Sequence, residues 1–165
     1  MSHDDAWSDT PVTCPQRHLM LAAVDTSENS GRAVAYLARW AACSPEARVV
    51  LAHVVKEPSE DLVPDRKDRD RQMEENREAA GELLAKAREC LKSAGVPAES
   101  IETKTLVCTP PDTVAGTLLA EKERDGYDTL VLGRRGMSKR EEYIFGSVTT
   151  RLVRDAADIC VWVVG

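Results

Sequence analysis

Residues 129–150 read TLVLGRRGMSKREEYIFGSVTT, and the fold turns on how that run divides. The short apolar run 129–132 stops at Gly133, and a second glycine follows at Gly136. Further on, Gly146 and Ser147 open an amphipathic run to residue 156. The stretch therefore predicts a strand, a glycine-rich loop and a helix. Glycine lets backbone N–H groups approach an anion closely, and the first N–H groups of a helix, with its dipole, favour phosphate. The run thus has the makings of a phosphate cradle in two pieces. It is not a Walker loop, because no G-K-[ST] follows.

The same alternation extends upstream and downstream. Apolar runs predict strands at 18–24, 48–55, 101–107, 129–132 and 159–164. Between them, 29–42 carries Val34, Leu37, Ala38 and Ala41 on one helical face, and 69–94 carries Met73, Ala80, Leu83, Leu84, Ala87 and Leu91. Gly95 stands where a left-handed cap would close the second helix. A third helix is expected from Thr109, with Pro110 in its first turn and Asp112 completing a capping-box-like pair. The fourth covers 146–156. Strict alternation makes each crossover return to a parallel neighbour, and continuous apolar strands are covered on both faces. The expected architecture is a doubly wound α/β fold: a five-stranded parallel sheet with helices on both faces.

Length and charge narrow the function classes. At 165 residues the chain suits one domain, expected at 18–165 behind a poorly ordered tail at 1–17 that is polar and aperiodic. A formal net charge of -6 argues against nucleic-acid and anionic-membrane partners, so any anion site must be local. The odd set Cys14, Cys43, Cys90, Cys108 and Cys160 has no C-x-x-C pair and reads as reduced thiols. No secretory h-region or membrane-length apolar run occurs, and a soluble, cytoplasmic protein is expected. Residues 56–68, charged and carrying Pro58 and Pro64, read as a long loop, either a lid or a solvated connection.

In an open parallel sheet the ligand crevice forms at the carboxyl ends of the strands, where the winding reverses. That edge receives Val24 and Asp25, Val54 and Val55, Val107 and Cys108, and Gly133. Asp25 has two readings, a wall of the crevice or a carboxylate that starts a helix. Arg134 and Arg135, with Lys139 and Arg140, either meet phosphate or pair with Glu141 and Glu142. Cys108 is expected to be packed rather than reactive. His53 has no second ligand at metal spacing.

The pattern G-x2-G-x9-G-[ST], met by Gly133, Gly136, Gly146 and Ser147, resembles the ATP-binding signature of universal stress proteins. Val24 to Ser27 is similar to that family's V-D-x-S first-strand ending, and His53-Val54-Val55 to its second-strand ending. The resemblance also takes in Gly-Ser-Val followed by a helix and a valine-rich strand, and it covers 18–165. It implies the strand order 3-2-1-4-5 of the adenine nucleotide alpha hydrolase-like fold. It also implies adenine contacts from Ala23, Asp25 and Val54, ribose and α/β-phosphate contacts from Leu132, Gly133 and Gly136, and phosphate contacts from Gly146, Ser147 and Val148. The implied ligand is ATP, alone or with Mg2+. This chain departs from the family's pattern at Cys108-Thr109-Pro110-Pro111, where many members have glycine, and at Cys160, where proline is usual.

Efficient phosphoryl transfer needs a positioned metal, a group orienting the nucleophile and charge stabilisation. Only the last can be assigned, so a binding protein with at most slow ATP hydrolysis is expected. An ATP-binding regulatory protein of the stress response is the reading these features favour. The apolar last strand, Val161-Trp162-Val163-Val164, lies at a sheet edge in the family order and suggests a homodimer. The alternative is a dimeric scaffold of the same fold that binds no nucleotide.

Overall fold

The computed structural model describes residues 18–134 and 147–165. The tail at 1–17 and the middle of the glycine-rich stretch, including Gly136 and Gly146, lie outside the described residues.

Short apolar runs become strands β1 (His18–Ala23), β2 (Ala47–Lys56), β3 (Ile101–Cys108), β4 (Thr129–Gly133) and β5 (Cys160–Val164). The helices between them are α1 (Glu28–Ala42), α2 (Arg66–Ser93), α3 (Val114–Asp125) and α4 (Ser147–Asp155). The strands form one sheet in the order β3-β2-β1-β4-β5. Every pairing is parallel, with Ala23 opposite both Ala52 on β2 and Leu132 on β4.

Successive strand residues face opposite sides of a sheet, so an uninterrupted apolar strand supplies two cores. On one face Met20, Ala22, Val49 and Leu51 pack against Val34 and Leu37 of α1 and Leu84 and Leu91 of α2. On the other, Leu21, Val50, Leu130 and Leu132 pack with Ala115 and Leu118 of α3 and Leu152 of α4. This explains why the central strands read as solid apolar runs.

The helix ends follow from local chemistry. The Ser27 hydroxyl caps α1 by accepting the Ser30 N–H at 3.1 Å. Gly95, at φ 100°, turns the chain out of α2 while the Val96 N–H returns to the Leu91 carbonyl at 3.1 Å. Two starts differ by more than one residue from the sequence expectation. Helix α2 begins at Arg66, because Asp65 caps it by accepting the N–H groups of Lys67 and Asp68. Arg69 then donates to the Val63 and Pro64 carbonyls and to Glu60, tying down the shortened loop. Helix α3 begins at Val114, not in the run from Thr109. Pro111 disfavours helical geometry at Pro110. The cap is Thr113, whose hydroxyl accepts the Gly116 N–H at 3.1 Å, while the Asp112 N–H closes a turn on the Thr109 carbonyl.

A charged cluster joins α3 to β3. Lys104 donates to Glu121 at 3.0 Å, to the Tyr127 hydroxyl at 3.3 Å and to Asp125. Arg124 reaches the far oxygen of Glu121 at 2.7 Å. Glu121 is buried, and its carboxylate tolerates that because a lysine, an arginine and a phenol surround it.

Candidate functional site

Strands β1 and β4 are neighbours although α1 to α3 intervene in sequence. The sheet grows from β1 towards β3 in one direction and from β4 towards β5 in the other. The crevice between β1 and β4 is therefore the switch point at which doubly wound sheets take ligands.

At the end of β1 the Val24 N–H still pairs with the Ala52 carbonyl, at 2.8 Å, before the chain turns. Asp25 makes the turn: its N–H donates to the Ser30 hydroxyl at 2.9 Å, and its Oδ1 accepts the Ser27 N–H at 2.8 Å. Asp25 thus shapes the turn that leads to the Ser27 cap of α1, and it also lines the cleft. His53 Nδ1 lies 2.7 Å from the Val24 carbonyl oxygen. A carbonyl only accepts, so Nδ1 carries the hydrogen and the β1 ending is pinned to β2. Among the described residues no group of metal-ligating side chains is assembled.

Gly133 ends β4 hard against the start of α1. A Cβ there would stand 2.5 Å from the Asn29 carbonyl carbon and the Ser30 nitrogen. Its missing side chain is required by the helix beside it, a reason the glycine spacing alone did not supply. The next residue, Arg134, donates its N–H to the Val164 carbonyl at 2.6 Å and lays its side chain against Gly165. That takes Arg134 towards the C-terminal strand. Arg135, Lys139 and Arg140 lie outside the described residues.

The cleft has a volume of about 240 Å³. The structure brings Ala23, Asp25, Val54, Leu132, Gly133 and Val148 together in its lining. Ser147 is exposed at the first position of α4. Sequence reasoning missed Ser30, Lys56, Val114, Leu118 and Thr149, which also line the cleft. Lys56 was findable, since the two-residue period carries Ala52 and Val54 on to it. Val114 and Leu118 were hidden by the misplaced start of α3. The walls are largely apolar, and the N-termini of α1, α3 and α4 contribute Ser30, Val114 and Val148 to them. Those termini bring partial positive charge to the edge of a chain whose formal net charge is -6.

A cleft at the switch point of an all-parallel 3-2-1-4-5 sheet defines a doubly wound α/β domain of the adenine nucleotide alpha hydrolase-like type. Residues 17–165 match the universal stress protein family, and the chain belongs to it. Among solved structures, universal stress protein UspA from Lactobacillus plantarum superposes with a TM-score of 0.73 at 18% identity, covering 92% of this chain and 100% of its own. A universal stress protein family member from Burkholderia pseudomallei gives 0.67 at 21% identity, covering 92% and 98%. A universal stress protein described in complex with cAMP gives 0.66 at 26% identity, covering 91% and 98%. No curated protein sequence matches the chain.

Proposed function

We propose that this universal stress protein binds an adenine nucleotide, with ATP as the leading candidate, and acts as a nucleotide-dependent regulatory protein in a stress response. The observation that carries the reading is the meeting of Ala23, Asp25, Val54, Leu132, Gly133 and Val148 in one cleft. Apolar walls suit a purine, and helix N-termini suit its phosphates. Ser147 and Val148 at the start of α4 would meet the phosphates, with Gly136 and Gly146 of the signature. The relative described in complex with cAMP supports a ligand of this class.

Asp25 is the single carboxylate among the described residues of the lining. A Mg2+ ion would therefore be carried chiefly by the phosphates, as that cation often is. In this reading the chain is at most a slow ATPase, since efficient phosphoryl transfer also needs a positioned metal and a group that orients the nucleophile. It works as one domain, 18–165, in the cytoplasm. No described helix is long and apolar enough to cross a membrane.

The homodimer is part of the same proposal. Strand β5 lies at the sheet edge. The Cys160 N–H and Val164 carbonyl pair inward, with Asp128 and Arg134. By alternation the backbone groups of Val161 and Val163 face outward, where a second copy can pair with them.

Calorimetric titration with ATP and AMP, on the wild type and on Gly136→Val, tests the nucleotide reading. Binding by the wild type and its loss in the variant are expected. No heat with either nucleotide would favour the non-binding scaffold.

A further inference from the structure

We propose that Lys56 meets a phosphate of the bound nucleotide from the β2 side of the cleft, so that affinity depends on the ligand's charge. The inference rests on the nucleotide reading and adds a residue that the glycine signature does not contain. Lys56 is the last residue of β2 and is exposed at the strand's carboxyl end. It shares a sheet face with Ala52 and Val54, and all three line the cleft.

Lys56 is also the one lysine or arginine among the described residues of that lining. Arg134, the described cation of the glycine-rich stretch, packs against Gly165 instead. Among the described residues Lys56 enters no ion pair, whereas Lys104 and Arg124 are held by Glu121 and Asp125 on α3. Asp25, the single carboxylate among the described residues of the lining, already accepts the Ser27 N–H.

The surroundings give this charge its weight. A polyphosphate approaching a chain of formal net charge -6 meets a repulsive field. Helix N-termini offset it with partial charges, but Lys56 supplies a full one within the cleft. An ammonium on a flexible stem needs no fixed geometry to meet a phosphate oxygen.

The test compares adenosine, AMP and ATP binding by calorimetry to the full-length wild type, Lys56→Gln and Lys56→Arg, at low and raised salt. Lys56→Gln should weaken AMP and ATP about tenfold, the worth of one hydrogen bond to a charged group. Adenosine affinity should be unchanged, and Lys56→Arg should restore most of the loss. The wild type should lose more phosphate-dependent affinity with salt than Lys56→Gln does. Equal weakening of adenosine, or no weakening of AMP and ATP, overturns the role of Lys56 and leaves the nucleotide reading standing. A wild type that binds none of the three overturns both.

Discussion

Gly133 at the end of β4 and Asn29 at the start of α1 are in backbone contact, so close that a methyl group on Gly133 would overlap the Asn29 carbonyl at 2.5–2.6 Å. Gly133 and Ser30 of α1 both border the crevice. Neither side can give way easily: one is the end of a paired strand and the other is the first turn of a helix.

Gly133→Ala should therefore destabilise the fold by about 2–3 kcal/mol, within the range of overpacked sites. Urea unfolding measures it. An alanine variant as stable as the wild type would show that α1 can shift freely. Where wild-type binding is measurable, the variant should also bind nucleotide more weakly, because any relief of the clash moves Asp25 or Leu132.

Ser30 offers a milder change on the same border. Its hydroxyl accepts the Asp25 N–H, and the residue is buried. Ser30→Ala should cost about 1 kcal/mol, the net value of one such bond, and somewhat more if no water replaces it. Amide exchange at Asp25 should accelerate. Unchanged exchange would show that the Asp25 turn is held by its other bond, from the Ser27 N–H.

The cluster on α3 predicts how stability depends on pH. Hydrogen bonds from Arg124 and then Lys104 hold the Asp125 carboxyl well below the usual carboxylate range. A depressed carboxyl stabilises the fold above its unfolded pKa, and that contribution is lost as pH falls through the folded value. For Lys104, burial alone would lower the pKa, but Asp125, Glu121 and Tyr127 together raise it above the usual lysine range. Its contribution is complete below the unfolded value and is lost as pH rises through the folded one. Asp125→Asn should thus flatten the decline in stability below about pH 4, where an unperturbed aspartate titrates. Thermal unfolding at a series of pH values measures this. A parallel decline in variant and wild type would refute the assignment.

Val163→Pro separates the edge of β5 from its pairing with β4. The outward N–H of Val163 is lost, while the inward bonds at Cys160 and Val164 remain. Light scattering should show a dimer for the wild type and a monomer for the variant. A monomeric mass in both would rule out the edge-paired dimer.

Much of the fold is legible in the residues. Parallel strands covered on both sides must be apolar throughout, so β1, β2 and β4 stand out, and the spacing of Leu37, Leu84 and Leu91 marks the faces of α1 and α2. The start of α3 was less legible. Thr109-Pro110-Pro111-Asp112 contains the residue types of a helix cap, but the second proline disfavours the helical geometry that the first would need. The lining of the candidate cleft is legible where it follows from strand ends, at Asp25, Val54 and Gly133. It was not legible at Ser30, Val114, Leu118 and Thr149, which reach the cleft through helix packing that no local pattern encodes. The glycine pattern marks Gly133 for approach to an anion, and the structure shows a packing reason the pattern cannot express.

Nucleotide binding at this cleft is tested by titrating isotopically labelled protein with ATP and following the backbone amide chemical shifts. Saturable shifts are expected, concentrated at Val24, Asp25, Val54, Gly133, Ser147 and Val148, at the shared end of β1, β2, β4 and α4. Shifts that are absent, or that gather away from that edge, would contradict binding there.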